Sequence, residues 1–316
     1  MNNKTTVSLV LGSGGAKGMA HIGVIRCLQD HGFDIRYVAG SSIGAIVGGV
    51  YAAGYLDAFV EWTTALRKRD VLRLLDFSFR SGAIFKGDRI MDALQDLIGE
   101  CRIEDLPIGY TAVATDISLG SNGSEIWFNE GSLYDAMRAS MAVPSVFSPL
   151  IHNGMILVDC GVINPVPVAP TLNDQTDLTI AVNLNGTHDE NLRLEDEQTA
   201  AEKTKDTAAN SSDNPIAVAY QNSIGQFIDR FWPEDAQMPI TDSLNVENLG
   251  LLEVMVRSME TMEAALTQFK LAATAPTHLI EIPCNLCSFL DFHHSDALIA
   301  YGYDATLKKL ALASCE

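Results

Sequence analysis

The chain opens on short apolar runs alternating with helical periodicities. Thr6 to Leu11 is apolar and β-branched, with glycine immediately after it, and predicts a buried strand. Gly12 to Gly18 is rich in glycine and predicts a loop. From Met19 to Asp30, Ile22, Val24, Ile25 and Leu28 recur at helical spacing. Arg36 to Gly40 predicts a second short strand. Ser42 to Ala53, rich in Ala, Ile and Val, predicts a buried helix. Strand, helix, strand, helix within the first 55 residues argues for a parallel sheet covered on both faces.

Downstream, strands are predicted at Tyr110 to Thr115, Glu125 to Phe128, Met155 to Val158, Leu178 to Leu184 and His278 to Ile282. Between Asn245 and Ala273, Leu249, Leu252, Val256, Met259, Met262, Leu266 and Phe269 fall three or four apart. That spacing predicts a long amphipathic helix whose methionines fill the core. From Gly186 to Asn214 the pattern dissolves into polar and acidic residues and predicts a mobile surface insertion. After it, Ile216, Tyr220, Ile224, Phe227, Ile228 and Phe231 keep a loose helical register within residues 215–232. This stretch reads as an ordinary packed helix rather than a lid or an interfacial helix, because its polar face is not basic. The expected architecture is a three-layer α/β/α fold with a mostly parallel central sheet. Residues 1–316 form a single domain, with the insertion at about residues 186–245.

Composition narrows what such a domain can do. The chain is 47% hydrophobic, enough for a sizeable core. With 40 acidic and 21 basic side chains its net charge is −19, which repels nucleic-acid phosphates and excludes nucleic acid as a partner. The same charge disfavours anionic lipid, so a peripheral membrane contact has to be apolar and local. The apolar run Val7 to Leu11 is too short for a signal-peptide core, and no stretch reaches bilayer-spanning length. A cytoplasmic protein is expected. The six cysteines mostly lie in apolar sequence and predict buried thiols. Cys284 and Cys287 form a single CxxC with no second pair, short of the four ligands of a structural metal site.

Chemistry enters at Gly40-Ser41-Ser42-Ile43-Gly44, a G-x-S-x-G between a predicted strand and a predicted helix. A nucleophilic serine needs a sharp strand-to-helix turn, and small neighbours permit its strained backbone. The helix that follows aims its N-terminal amides at developing negative charge. The second element is Gly12-Ser13-Gly14-Gly15-Ala16-Lys17-Gly18. As a dinucleotide loop it fails, because the third glycine position holds Lys17; as a P-loop it fails, because Lys17 is followed by Gly18 and Met19. Two readings remain: a tight turn, or a loop whose Gly14 and Gly15 amides stabilise an oxyanion. For a base, His278, His293 and His294 lie downstream, but only two strands precede Ser42, too few for the α/β-hydrolase order. Asp159, after the apolar run Met155 to Val158 and before Cys160-Gly161, stands where α/β sheets place their sites. His21, His152, His293 and His294 read as structural histidines. Ser13 and Ser41 are explained by loop geometry, and Arg138 by an unassigned carboxylate.

Together these residues resemble the patatin-like phospholipase family, in its bacterial branch related to neuropathy target esterase. Three further segments resemble that family: Arg138 to Pro144, Asn164-Pro165-Val166-Pro167 and Asp291-Phe292-His293-His294. The resemblance covers nearly the whole chain outside about residues 186–245. It implies a Ser-Asp dyad with Ser42 as nucleophile and Asp159 as base. It also implies an oxyanion loop at Gly14 and Gly15, shaped by Gly12, Lys17 and Gly18, with Gly40 and Gly44 framing the serine. The substrate implied is a lipid ester, handled in the manner of a lysophospholipase or phospholipase A. A soluble carboxylesterase or thioesterase, or a regulatory protein on the same scaffold, are the alternatives. No cofactor and no metal are implied, so activity is expected to be independent of calcium. The family often carries arginine in the loop where this chain has Lys17. Its Asp-Gly-Gly or Asp-Gly-Ala turn is here Asp159-Cys160-Gly161.

Overall fold

The computed structural model describes residues 4–74, 85–190 and 251–312. The N-terminal part runs β1 (Thr6–Leu11), α1 (Ala20–Asp30), β2 (Asp34–Ser41) and α2 (Ile43–Ala52), followed by α3 (Leu56–Ala65), α4 (Lys68–Leu74) and α5 (Asp88–Ile98). Then come β3 (Gly109–Asp116), β4 (Ser124–Phe128), α6 (Leu133–Ser140), β5 (Leu150–His152), β6 (Met155–Asp159) and β7 (Leu178–Gly186). The last elements are α7 (Leu251–Ala273), β8 (His278–Pro283) and α8 (Ser295–Leu310).

The strands form one sheet in the order β5-β6-β3-β2-β1-β7-β8, with β4 also paired to β3. β3, β2, β1, β7 and β8 pair in parallel, while β4, β5 and β6 join antiparallel. Both faces are covered, as the near-continuous apolar runs require. Leu9 and Leu11 of β1, Val38 of β2 and Ile180 and Val182 of β7 point into the larger core with α1, α2 and α8. Their neighbours Val10, Ala39 and Ala181 point to the opposite face, toward Val166, Val168 and Leu271 of α7. This is the period of two expected of strands buried on both sides. The mixed α/β fold with a mostly parallel central sheet agrees with the sequence expectation.

Two expectations need amendment and one lies out of view. The first part of the glycine segment is a loop, but Gly15–Met19 is a turn of 3₁₀ helix that leads directly into α1. The methionines of α7 are not all core. Met259 packs on the core, but Met255 and Met262 are exposed, and Phe269 is 74% exposed, whereas Glu263 and Thr267 are buried. The inward face of α7 lies over the loops that end β1 and β6, where polar groups find partners. The polar side of the helix therefore faces in, and part of the apolar stripe faces out. Most of the expected insertion, including residues 215–232, lies outside the described residues. Among the described residues no helix is long and apolar enough to cross a membrane.

Candidate active site

Ser42 sits at the hinge between β2 and α2, with φ 56° and ψ −124°. A serine at positive φ is uncommon and strained, and it persists only where its surroundings over-determine it. Here they do. The Ser42 N–H donates to Ser140 Oγ at 2.9 Å, and the Ser140 hydroxyl donates to Val113 O of β3 at 2.7 Å. The Ser42 carbonyl accepts from Ala45 and Ile46, which closes the first turn of α2. Tyr110 donates to Ala45 O at 2.7 Å and ties that turn to β3 from below. The two motif glycines are required by contact. A Cβ on Gly40 would stand 2.6 Å from Ala45 Cα, and one on Gly44 would stand 2.8 Å from Gly12 O. The helix thus starts with its backbone pressed on the end of β1. Ser42 remains only 6% exposed.

The glycine loop lies beside this turn. Its Gly12 N–H donates to Val182 O at 3.1 Å, Ser13 N–H to Pro165 O at 2.9 Å and Ala16 N–H to Phe289 O at 2.9 Å. None of these bonds uses the amides of Gly14 or Gly15. Gly14 and Gly15 have φ 157° and 58°, and a Cβ on either would strike Leu184 or Phe289. Gly18 is closed in by Ile43, the residue after the serine. Lys17 is fully buried, with Nζ 3.2 Å from Glu260 Oε1 and 3.1 Å from Cys284 O. It braces the loop toward α7 and the turn after β8. A buried ammonium needs such partners.

Asp159 ends β6, and β3 brings it to the serine. Ser41 pairs with Val113 and Asp159 pairs with Ala114, consecutive residues of β3. Because β4 occupies the other edge of β3 over this stretch, β2 and β6 meet end to end along one edge. The Asp159 carboxyl is 1% exposed. Its Oδ1 accepts from Gly161 N–H at 2.6 Å. Its Oδ2 is buried with no partner at hydrogen-bond distance, although the Ser42 hydroxyl is near enough to pull the carboxyl's pKa down. That pull and the Gly161 bond are outweighed. Burial first, and the nearby Glu263 carboxyl second, push Asp159 up to about 8. Loose contacts of this kind between a nucleophile and its base are common before substrate arrives. A carboxyl with a pKa near neutral is suited to accept a proton from an alcohol.

The other sequence candidates separate clearly. His21 is fully buried, donates from Nε2 to Gly12 O at 2.9 Å and is lowered to about 4 by burial. It is a neutral brace for the loop, as expected of a structural histidine. His152 packs edge-on against Phe128, and His293 stacks on His294. Arg138 Nη2 donates to Lys86 O at 2.6 Å and Ser148 O at 3.0 Å, and its Nε pairs with the Asp88 carboxylate at 3.8 Å. Cys160 is buried and donates to Asn164 O, so the altered residue in the aspartate turn is accommodated. Ser13 does more than shape the loop: it donates to Glu263 Oε2 at 2.9 Å. Sequence reasoning missed Glu263, Ser140 and Phe289 as parts of the site. Ser140 lies in the quoted segment Arg138 to Pro144, which was the available signal. Glu263 was hidden in an apolar periodicity.

A cavity of about 90 Å³ opens on the serine, with Ser42 and Gly15 in its wall. The rest is almost wholly apolar, including Met19, Ile46, Phe59, Trp62, Leu94 and Phe147. These side chains come from α2, α3, α5, the turn before α1 and the segment after α6.

The family model of the patatin-like phospholipases matches residues 9–172. An NTE family protein of Mycobacterium bovis, itself uncharacterised, is 39% identical over 94% of this chain and 89% of its own length. Neuropathy target esterase of Drosophila melanogaster is 31% identical over 59% of this chain, a match that spans 13% of that much longer protein. The crystal structure of VipD from Legionella pneumophila aligns with 98% of this chain and 67% of its own, at 14% identity and a TM-score of 0.44. The chain belongs to the patatin-like phospholipase family and is a serine ester hydrolase of lipid-ester type.

Proposed function

We propose that this enzyme hydrolyses long-chain acyl esters of phospholipids or lysophospholipids through a Ser42–Asp159 dyad. Ser42 Oγ attacks the ester carbonyl as Asp159 takes its proton. The amides of Gly14 and Gly15, unused by the loop's own bonds, receive the oxyanion. The proton then passes to the leaving alkoxide, and the fatty acyl group stays on Ser42. Water, deprotonated by the same aspartate, releases the acid. A single well-aimed oxyanion donor is worth roughly 3–4 kcal/mol, so the loop matters as much as the base.

The observation that carries this reading is the apolar cavity with Ser42 and Gly15 in its wall. A polar or short substrate gains nothing from a lining of Phe, Trp, Leu and Met side chains. An acyl chain gains about 0.8 kcal/mol per buried methylene. The test compares a long-chain lysophospholipid with a p-nitrophenyl acetate ester, in the wild type and in Ile46→Trp, which fills the cavity. The wild type should favour the long chain by at least about 10-fold in kcat/KM, and Ile46→Trp should abolish that preference while keeping acetate hydrolysis. Equal rates on both substrates in the wild type would favour a soluble carboxylesterase instead.

A further inference from the structure

Two buried carboxyls meet at the site, and the mechanism above uses only one. Glu263, on α7, is 8% exposed. Its Oε2 accepts from Ser13 Oγ at 2.9 Å and from Asn185 Nδ2 at 3.3 Å. The same carboxyl presses on the aspartate turn: a Cβ on Gly161 would stand 2.9 Å from Glu263 Cδ and 3.1 Å from Asp159 Oδ1. Gly161 is the residue whose amide holds Asp159, and Ser13 is the residue before Gly14. One side chain therefore touches both the candidate oxyanion loop and the turn of the candidate base. A glutamine would fill the same space with no charge to desolvate, so packing alone does not account for a carboxyl here.

We propose that Glu263 is a positioning residue of the Ser42–Asp159 dyad, which locks the glycine loop to the aspartate turn and sets a negative charge behind the base. This rests on the dyad reading above. Among the described residues, the charged groups around Glu263 are Glu260 on its own helix, Lys17 from the turn before α1 and Asp159 from β6. Lys17 is already engaged by Glu260 at 3.2 Å. Burial pushes the Glu263 carboxyl up, while Ser13, Asn185 and Lys17 draw it down. Glu263 in turn acts on Asp159, whose pKa it raises. Repulsion from Glu263 makes the Asp159 carboxylate hold a proton more tightly, and so makes it a better base for the serine.

The test is the pH profile of ester hydrolysis by Glu263→Gln, which keeps the volume and an acceptor for Ser13 but removes the charge. The acid limb of kcat/KM should move to lower pH by about one unit. The plateau kcat should fall about 3- to 10-fold as the base weakens, with KM within about two-fold of wild type. Ser13→Ala cuts the lock from the loop side and leaves the carboxyl in place. Its kcat should fall several-fold with the acid limb moved by less than in Glu263→Gln, and it decides the matter if Glu263→Gln does not fold. A Glu263→Gln profile that superimposes on wild type, or wild-type kcat in Ser13→Ala, overturns the proposal. Ser42→Ala and Asp159→Asn, run beside them, separate the two levels. If both are inactive while Glu263→Gln is unshifted, only the role of Glu263 fails. If Ser42→Ala stays active, the dyad reading fails first.

Discussion

On the nucleophile side of the site, position is set by backbone against backbone. Gly40 and Gly44 let α2 start in contact with β1, Ser140 pins the Ser42 amide to β3, and the surroundings are apolar. On the aspartate side, position is set by buried carboxyls and their polar partners. Asp159 and Glu263 both lie against Gly161, with Ser13, Asn185 and the Lys17–Glu260 pair nearby. The first side holds a strained serine in a fixed place. The second side shifts a proton affinity. The contrast shows how one site obtains a reactive geometry from steric closeness and a usable base from poor solvation.

Each side can be broken in its own way. The largest effect is expected at Gly44. Gly44→Ala places a methyl group against Gly12 O and the end of β1, which are backbone and have no room to yield. Overpacking of this kind should cost about 3 kcal/mol, read as a lower denaturation midpoint, together with loss of activity. Full stability in this variant would mean that α2 does not start in contact with β1.

The aspartate side should respond to pH instead, with a graded effect. Asp159 has its folded pKa raised from 3.8 to about 8. Below pH 4 the carboxyl is protonated whether folded or unfolded, and the shift costs nothing. As pH rises toward 8 the unfolded chain ionises while the folded chain keeps its proton, so stability falls over that window. Asp159→Asn has no such penalty. Its stability relative to wild type should rise steadily from pH 4 to pH 8 in denaturant titrations. A constant difference across that range would show that Asp159 is not held in the protonated form by its surroundings.

The same division explains what the sequence made legible. Gly40, Gly44 and the glycine loop stood out because a close backbone approach forces glycine locally, and the strands on either side were short and apolar. Asp159 stood out because an apolar run and a turn frame it. Glu263 gave no such sign. It lies among Met259, Met262 and Leu266, whose spacing predicted an apolar inward face, and only the packing of α7 over the loops turns the polar face in. The cavity was equally hidden, since its walls come from α2, α3, α5 and residues near Phe289, far apart in the chain. The antiparallel wing of β4, β5 and β6 carries Asp159 to its place. Two of those strands were foreseen as strands, but their pairing along β3 is a tertiary outcome.

The central claim, that Ser42 is the nucleophile and Asp159 its base, is tested most directly by labelling with a fluorophosphonate probe and locating the adduct by mass spectrometry. One adduct on Ser42 is expected in the wild type, none in Ser42→Ala, and labelling slowed by at least about 10³-fold in Asp159→Asn. An adduct on any other serine, or labelling of Ser42→Ala at the wild-type rate, would contradict the account.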